Sequence, residues 1–235
     1  MSATPSPLRQ SLRAARANLV PGLVLQAFAG GLVAAYFWHA PTRGLLDALA
    51  GFRERVGLPF ALVSTALFGG LLPALVMRFA PATRGRRPDG RQIAAQTLFW
   101  AYKGWEVSFF YGLLARFVGE GRDFTTIATK TFIDQCVYSP FFTVPCAWFF
   151  YTWMGHRFVF APVLAEFRRP GWFARLLPLQ VAGWGVWVPA VAIIYQLPTS
   201  LQLPLQNLVC CFYTLLVLFL TRPAEPTPAP AGRMP

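Results

Sequence analysis

Apolar residues along this chain fall in long unbroken runs rather than in alternation. Between Arg175 and Arg222 lie 46 consecutive residues without Asp, Glu, Lys or Arg, about twice the ~20 that one helix needs to cross a hydrocarbon layer. Residues 17–42, 56–77 and 135–156 are further charge-free gaps of spanning length. In hydrocarbon an unpaired backbone polar group costs several kcal/mol, so spans are helices or closed barrels, and unbroken apolar runs select helices. The pattern predicts an all-α fold, a polytopic transmembrane bundle of about six hydrophobic helices near residues 19–38, 58–79, 93–117, 129–154, 177–197 and 201–221. Pro178, Gly183, Gly185 and Pro189 leave a broken or re-entrant element open for the fifth.

The runs divide the chain into a basic N-terminal segment over 1–17, a single membrane domain over 18–221 and a Pro-rich tail over 222–235 that is expected to be disordered. The first segment holds Arg9, Arg13 and Arg16, with no acid before Asp47. It reads as a cytoplasmic lead into the first helix or as a mitochondrial presequence. A secretory signal is disfavoured, because the apolar stretch from Leu19 to Trp38 is longer than an h-region of roughly 7–15 residues.

Composition agrees with burial in lipid. The chain is 55% hydrophobic and 13% charged, with a mean hydropathy of +0.46, too apolar for an ordinary soluble domain of this length. A net charge of +12 would suggest nucleic acid in a soluble protein, but here the arginines sit at the ends of apolar runs, so the expected partner is the lipid bilayer and no nucleic acid. With the N-terminus inside, fourteen basic residues fall in inner segments against six in outer ones, as the positive-inside rule requires. Trp38, Trp148, Trp153 and Trp172 lie near helix ends, where indoles anchor at headgroup level. Cys136, Cys146, Cys210 and Cys211 lie inside apolar runs and imply no disulfide framework. With only His39 and His156 available, neither a metal site nor a cofactor is expected.

Small residues mark candidate packing faces. Ala27, Gly31 and Ala35 recur every fourth position in the first helix, and Ala66, Gly70 and Ala74 do so in the second, each a groove for close backbone approach. Three ionisable residues fall within predicted helices, namely Lys103, Glu106 and Asp134. Such charges are expensive in a membrane and are expected to face the bundle interior. Lys103 and Glu106 are i, i+3 neighbours, which suits either a salt bridge or a wet path for a polar solute. Asp134, Gln135, Tyr138, Ser139 and Thr143 make the fourth helix unusually polar, and Pro140 and Pro145 are candidate kinks. The chain has no G-x-S-x-G, H-E-x-x-H, P-loop or dinucleotide fingerprint, so no catalytic residues and no enzyme activity are expected.

The string Asp134-Gln135-Cys136-Val137-Tyr138-Ser139-Pro140 resembles the D-Q-x-x-x-[AS]-P signature of the Mpv-seventeen / peroxisomal membrane protein twenty-two family. Gly104 and the block Phe110-Tyr111-Gly112-Leu113-Leu114-Ala115-Arg116-Phe117 are similar to the family's upstream G-P and W-Y-x-x-L-x-R elements. Downstream, Trp187-Val188-Pro189, Leu197-Pro198 and Asn207 are looser counterparts. The resemblance covers about residues 92–222. Trp105 stands where the family has proline, the G-D element of its first helix is absent, and six helices exceed its usual four; together these suggest a divergent, bacterial member. What the resemblance implies is a non-enzymatic pore or facilitator for small solutes or ions, with Lys103, Glu106, Asp134, Gln135 and Tyr138 lining it. The alternative is a structural or partner-binding membrane protein whose polar residues lock helices together. The expected location is a bacterial inner membrane, with the mitochondrial inner or peroxisomal membrane as alternatives.

Overall fold

The computed structural model describes residues 19–80 and 87–220; the basic segment over 1–17 and the tail over 222–235 lie outside the described residues. The described chain is helical throughout, with no strand among those residues. Helix α1 is Leu19–Trp38 and α2 is Ala40–Val56. Helix α3 runs from Leu58 to Phe79, as Leu58–Thr65, a π-helical segment Ala66–Leu71, and Leu72–Phe79. Helix α4 is Gly90–Phe117. Helix α5 runs from Phe124 to Gly155, as Phe124–Phe132, an 11-residue π-helical segment Ile133–Thr143, and Val144–Gly155. Helix α6 is Phe160–Phe167, α7 is Leu177–Ile194 and α8 is Thr199–Leu220. Two of these, α1 and α3, are long and apolar enough to cross a membrane by length and composition.

Local chemistry sets several of the ends. Asp89 opens α4 with a capping box, its carboxylate accepting from the Gln92 amide while the Gln92 side chain accepts from the Asp89 amide. Asp123 caps α5, accepting from both the amide and the hydroxyl of Thr126; those two bonds hold its carboxyl below the usual carboxylate range. Gly57, at φ 68°, makes the turn from α2 into α3 in a region that favours glycine. The expected fifth element is a continuous α-helix despite its prolines, with Pro178 in its first turn and Pro189 inside.

Two features depart from expectation. Residues 40–56, expected as a connection, form the helix α2, which buries none of its residues fully. Its Arg43 donates to the carbonyls of Tyr36 and Phe37 at the end of α1, Asp47 accepts from the Tyr36 hydroxyl, and Leu46 and Ala50 pack on the core. The helix is amphipathic, and its arginines hid it in a search for charge-free runs. The stripe Ala27, Gly31, Ala35 does not supply the packing face of α1: Ala27 and Gly31 are exposed, whereas Pro21, Gly22, Leu25, Ala29, Val33 and Tyr36 face inward. The reason is the identity of the neighbours, α7 and α8, which present Val186, Ala190, Ile194, Leu201, Leu205 and Val209 to that other face.

The second small-residue stripe does meet a partner. Gly70 lies against the backbone of Gln96 and Thr97 on α4, and Gly69 lies against the Trp100 ring. Gly104 reciprocates from α4, where a Cβ would sit 2.2 Å from the Ala61 carbonyl oxygen and 2.8 Å from the Thr65 Cβ. Both are closer than real Cβ contacts allow, so α3 and α4 must separate to admit a methyl group. Gly104→Ala should therefore cost about 1–3 kcal/mol through overpacking, while Gly112→Ala, where a Cβ meets nothing within 4 Å, should be neutral or slightly stabilising. Thermal unfolding of the two variants in detergent checks this, and equal midpoints would show that the contact does not constrain the bundle.

The exterior is apolar and the interior carries polar groups. Leu23, Val24, Phe28, Val63, Leu98, Phe109, Val137, Phe141, Phe149, Leu177 and Val181 are exposed along the flanks of α1, α3, α4, α5 and α7. Thr65, Gln96, Lys103, Glu106, Lys130, Asp134, Gln135, Gln180, Gln202 and Asn207 are buried.

Candidate functional site

The polar residues gather where α4, the π-helical segment of α5, α7 and α8 meet. Lys103 and Glu106, one turn apart on α4, are 4% and 6% exposed, and the Lys103 ammonium donates to Glu106 Oε1. The same oxygen accepts from the Tyr138 hydroxyl across the helix interface. Lys103 Nζ also lies 5.6 Å from the Tyr138 ring centroid, and Phe110 stacks on that ring with centroids 3.8 Å apart. Glu106 Oε2 is buried with no hydrogen-bond partner.

Asp134, 6% exposed, does not pair with Lys103. Its Oδ2 accepts from the Tyr195 hydroxyl at 2.5 Å and its Oδ1 from the Gln135 side chain at 3.1 Å. Two donors and no cation satisfy it, and both suit an ionised carboxylate. Tyr195 stands edge-on to Tyr111, with centroids 5.5 Å apart, and Tyr111 donates to Gln206 on α8 at 3.3 Å.

The π-helical register explains the next shell. In an i→i+5 ladder the donor for the Gln135 carbonyl is the amide of residue 140, and that residue is Pro140, which has none. The orphaned carbonyl accepts instead from Gln180 Nε2 at 3.1 Å and Trp184 Nε1 at 2.9 Å, both on α7. Gln180 Oε1 in turn accepts from Ser139 at 3.1 Å. Pro140 thus makes a socket that fastens α5 to α7. Pro145 stands in the first turn of Val144–Gly155, where the helix returns to α-register.

These groups surround a cavity of about 240 Å³. Lys103, Asp134, Gln135 and Tyr138 line it, with Ser139, Gln180 and Gln206, and the rings of Trp100, Tyr111 and Trp187 complete the wall. Glu106 stands behind the wall, holding Lys103 and Tyr138. Four of the five expected polar residues therefore share one cavity and the fifth braces it. Tyr195, Gln180, Gln206 and Trp184 were not anticipated. Gln180 and Gln206 carry a weak signal, being amides inside charge-free runs, whereas nothing in the spacing marks Tyr195 or Trp184.

A second polar knot lies apart from the cavity lining. Asn207 accepts from Thr65 at 2.9 Å and donates to Ser64 at 3.0 Å, tying α8 to α3. Among the described residues no group of three or more His, Cys, Asp or Glu is placed to hold a metal ion, and all four cysteines are free thiols. Comparison with family models, curated proteins and solved structures found no match to this chain.

Proposed function

We propose that this chain is an integral membrane protein in which α1, α3, α4, α5, α7 and α8 are six spans, and that it is a non-enzymatic pore or facilitator for small solutes. The observation that carries this reading is the polar cavity at the centre of a bundle whose flanks are apolar. In a bilayer, ionisable groups at mid-helix are retained where they face a wet path or one another. At about 1.5 Å per residue, the 18 residues of α7 rise ~27 Å, close to the thickness of a hydrocarbon core. The amphipathic α2 is then an interfacial helix, and Trp38, 85% exposed at the end of α1, a headgroup anchor. Membership of the Mpv-seventeen / peroxisomal membrane protein twenty-two family is part of the same proposal, resting on the Asp134–Pro140 signature, whose residues form the socket and much of the cavity wall. A bacterial inner membrane with the N-terminus inside fits the distribution of basic residues.

A structural or partner-binding protein is the second reading, and one observation favours it: each charge in the site already has an internal partner. Liposome swelling separates the two. Vesicles carrying the folded protein should swell in iso-osmotic solutions of small polar solutes faster than empty vesicles do. Rates equal to those of empty vesicles would leave the helix-locking reading.

A further inference from the structure

The cavity lining holds one ammonium, Lys103, and one carboxylate, Asp134. The ammonium is bound to Glu106 on its own helix, whereas the carboxylate accepts from neutral donors, Tyr195 and Gln135. That carboxylate shares the wall with the rings of Trp100, Tyr111, Tyr138 and Trp187. Aromatic faces carry negative potential and attract cations from which water has been stripped, an attraction worth most in a desolvated site. The protein already uses this chemistry internally, since the Lys103 ammonium rests against the Tyr138 ring. An anion finds the one ammonium in the lining already taken up by Glu106 and the Tyr138 ring.

Resting on the pore reading for its physiological meaning, we propose that the cavity is a binding site for a small organic cation of the alkylammonium class, with Asp134 as counter-charge and the rings of Trp100, Tyr111 and Trp187 as its cage. A volume of about 240 Å³ admits a cation the size of choline and leaves room for a water molecule. Gln206 and Ser139 offer hydrogen-bonding partners to a hydroxyl or an N–H on the cation's polar end.

Choline and its uncharged carbon isostere, 3,3-dimethylbutan-1-ol, separate charge from shape. In titration calorimetry of the full chain in detergent, choline should bind and the isostere should not, and choline alone should raise the thermal unfolding midpoint. Asp134→Asn should weaken choline binding by more than about tenfold. Trp187→Leu, which keeps an apolar side chain in place of the ring, should weaken it by about tenfold, the worth of one desolvated cation–π contact. Equal binding of choline and the isostere, or no binding of choline to the folded wild type, overturns the proposal, and both tests need no variant to fold. Binding and swelling report separately. Choline binding without solute flux leaves this site standing and removes the pore; flux without choline binding does the reverse.

Discussion

Lys103→Met should destabilise the protein by about 3–5 kcal/mol, while the double change Lys103→Met/Glu106→Gln should recover most of that loss. The asymmetry follows from the geometry. Glu106 accepts on one oxygen from both Lys103 and Tyr138 and leaves the other oxygen buried and unpartnered. Removing the ammonium strands a carboxylate at 6% exposure, with a phenol as its remaining donor. Removing both charges leaves an amide whose oxygen still accepts from Tyr138, in a site that no longer has to hold an ion away from water. Thermal unfolding of wild type, Lys103→Met, Glu106→Gln and the double variant in one detergent makes the cycle. A double variant as unstable as the sum of the singles would mean that the pair is not coupled.

That pairing was one of two arrangements the sequence left open, since two ionisable residues three apart on an apolar helix suit either a salt bridge or a wet path. Several helix positions were legible for a related reason: charges were excluded from the runs, so their ends mark α1 and α3, the start of α7 and the end of α8 to within a few residues. The start of α5 was less so. Asp123 and Lys130 placed it outside a charge-free window, yet Asp123 is the cap and Lys130 is 2% exposed, its ammonium 5.8 Å from the centroid of the Tyr195 ring. A search for absent charge misses a helix that uses its charges, and α2 was missed in the same way.

The site was legible on α4 and α5 and illegible on α7 and α8. Asp134, Gln135 and Tyr138 stand out because a costly group in an apolar stretch needs a reason. Their partners do not stand out. Tyr195 is one aromatic among many until the fold brings its hydroxyl to Asp134, and Trp184 acquires a role only because the π-register pairs the Gln135 carbonyl with a proline. Register is a tertiary property here: an α-helical ladder through the same residues would have offered Gln135 the amide of Ser139 and left the Cys136 carbonyl, about 100° further round the helix, as the one without a donor. The stripe Ala27, Gly31, Ala35 fails for the converse reason. Spacing of small residues identifies a face that permits close approach, but which face is covered depends on the neighbour, and α7 reaches α1 through Gly22, where a Cβ would lie 3.0 Å from Val186.

Asp134→Asn should abolish any preference for cations over anions while leaving the fold in place. The carboxylate is the one acidic group lining the cavity, and a carboxylate in a narrow passage of low dielectric constant attracts cations and repels anions far more strongly than it does in water. Asparagine preserves the size and the acceptor that Tyr195 needs, since its amide oxygen can take the place of Oδ2. Its amino group replaces the oxygen that now accepts from Gln135, so one weak contact at 3.1 Å is exchanged for a repulsive one. That loss is about 1 kcal/mol, roughly the net worth of one hydrogen bond, well short of unfolding a bundle with two hydrophobic cores. Reversal potentials in a planar bilayer under a salt gradient measure the preference directly: the wild type should reverse toward the cation equilibrium potential and Asp134→Asn near zero. Identical reversal potentials, with both proteins folded, would take Asp134 out of the permeation path and leave it as the group that positions Tyr195 against Tyr111. In that event Tyr195→Phe, which removes the bond that asparagine keeps, should destabilise the protein by about 1 kcal/mol or more beyond whatever change Asp134→Asn shows.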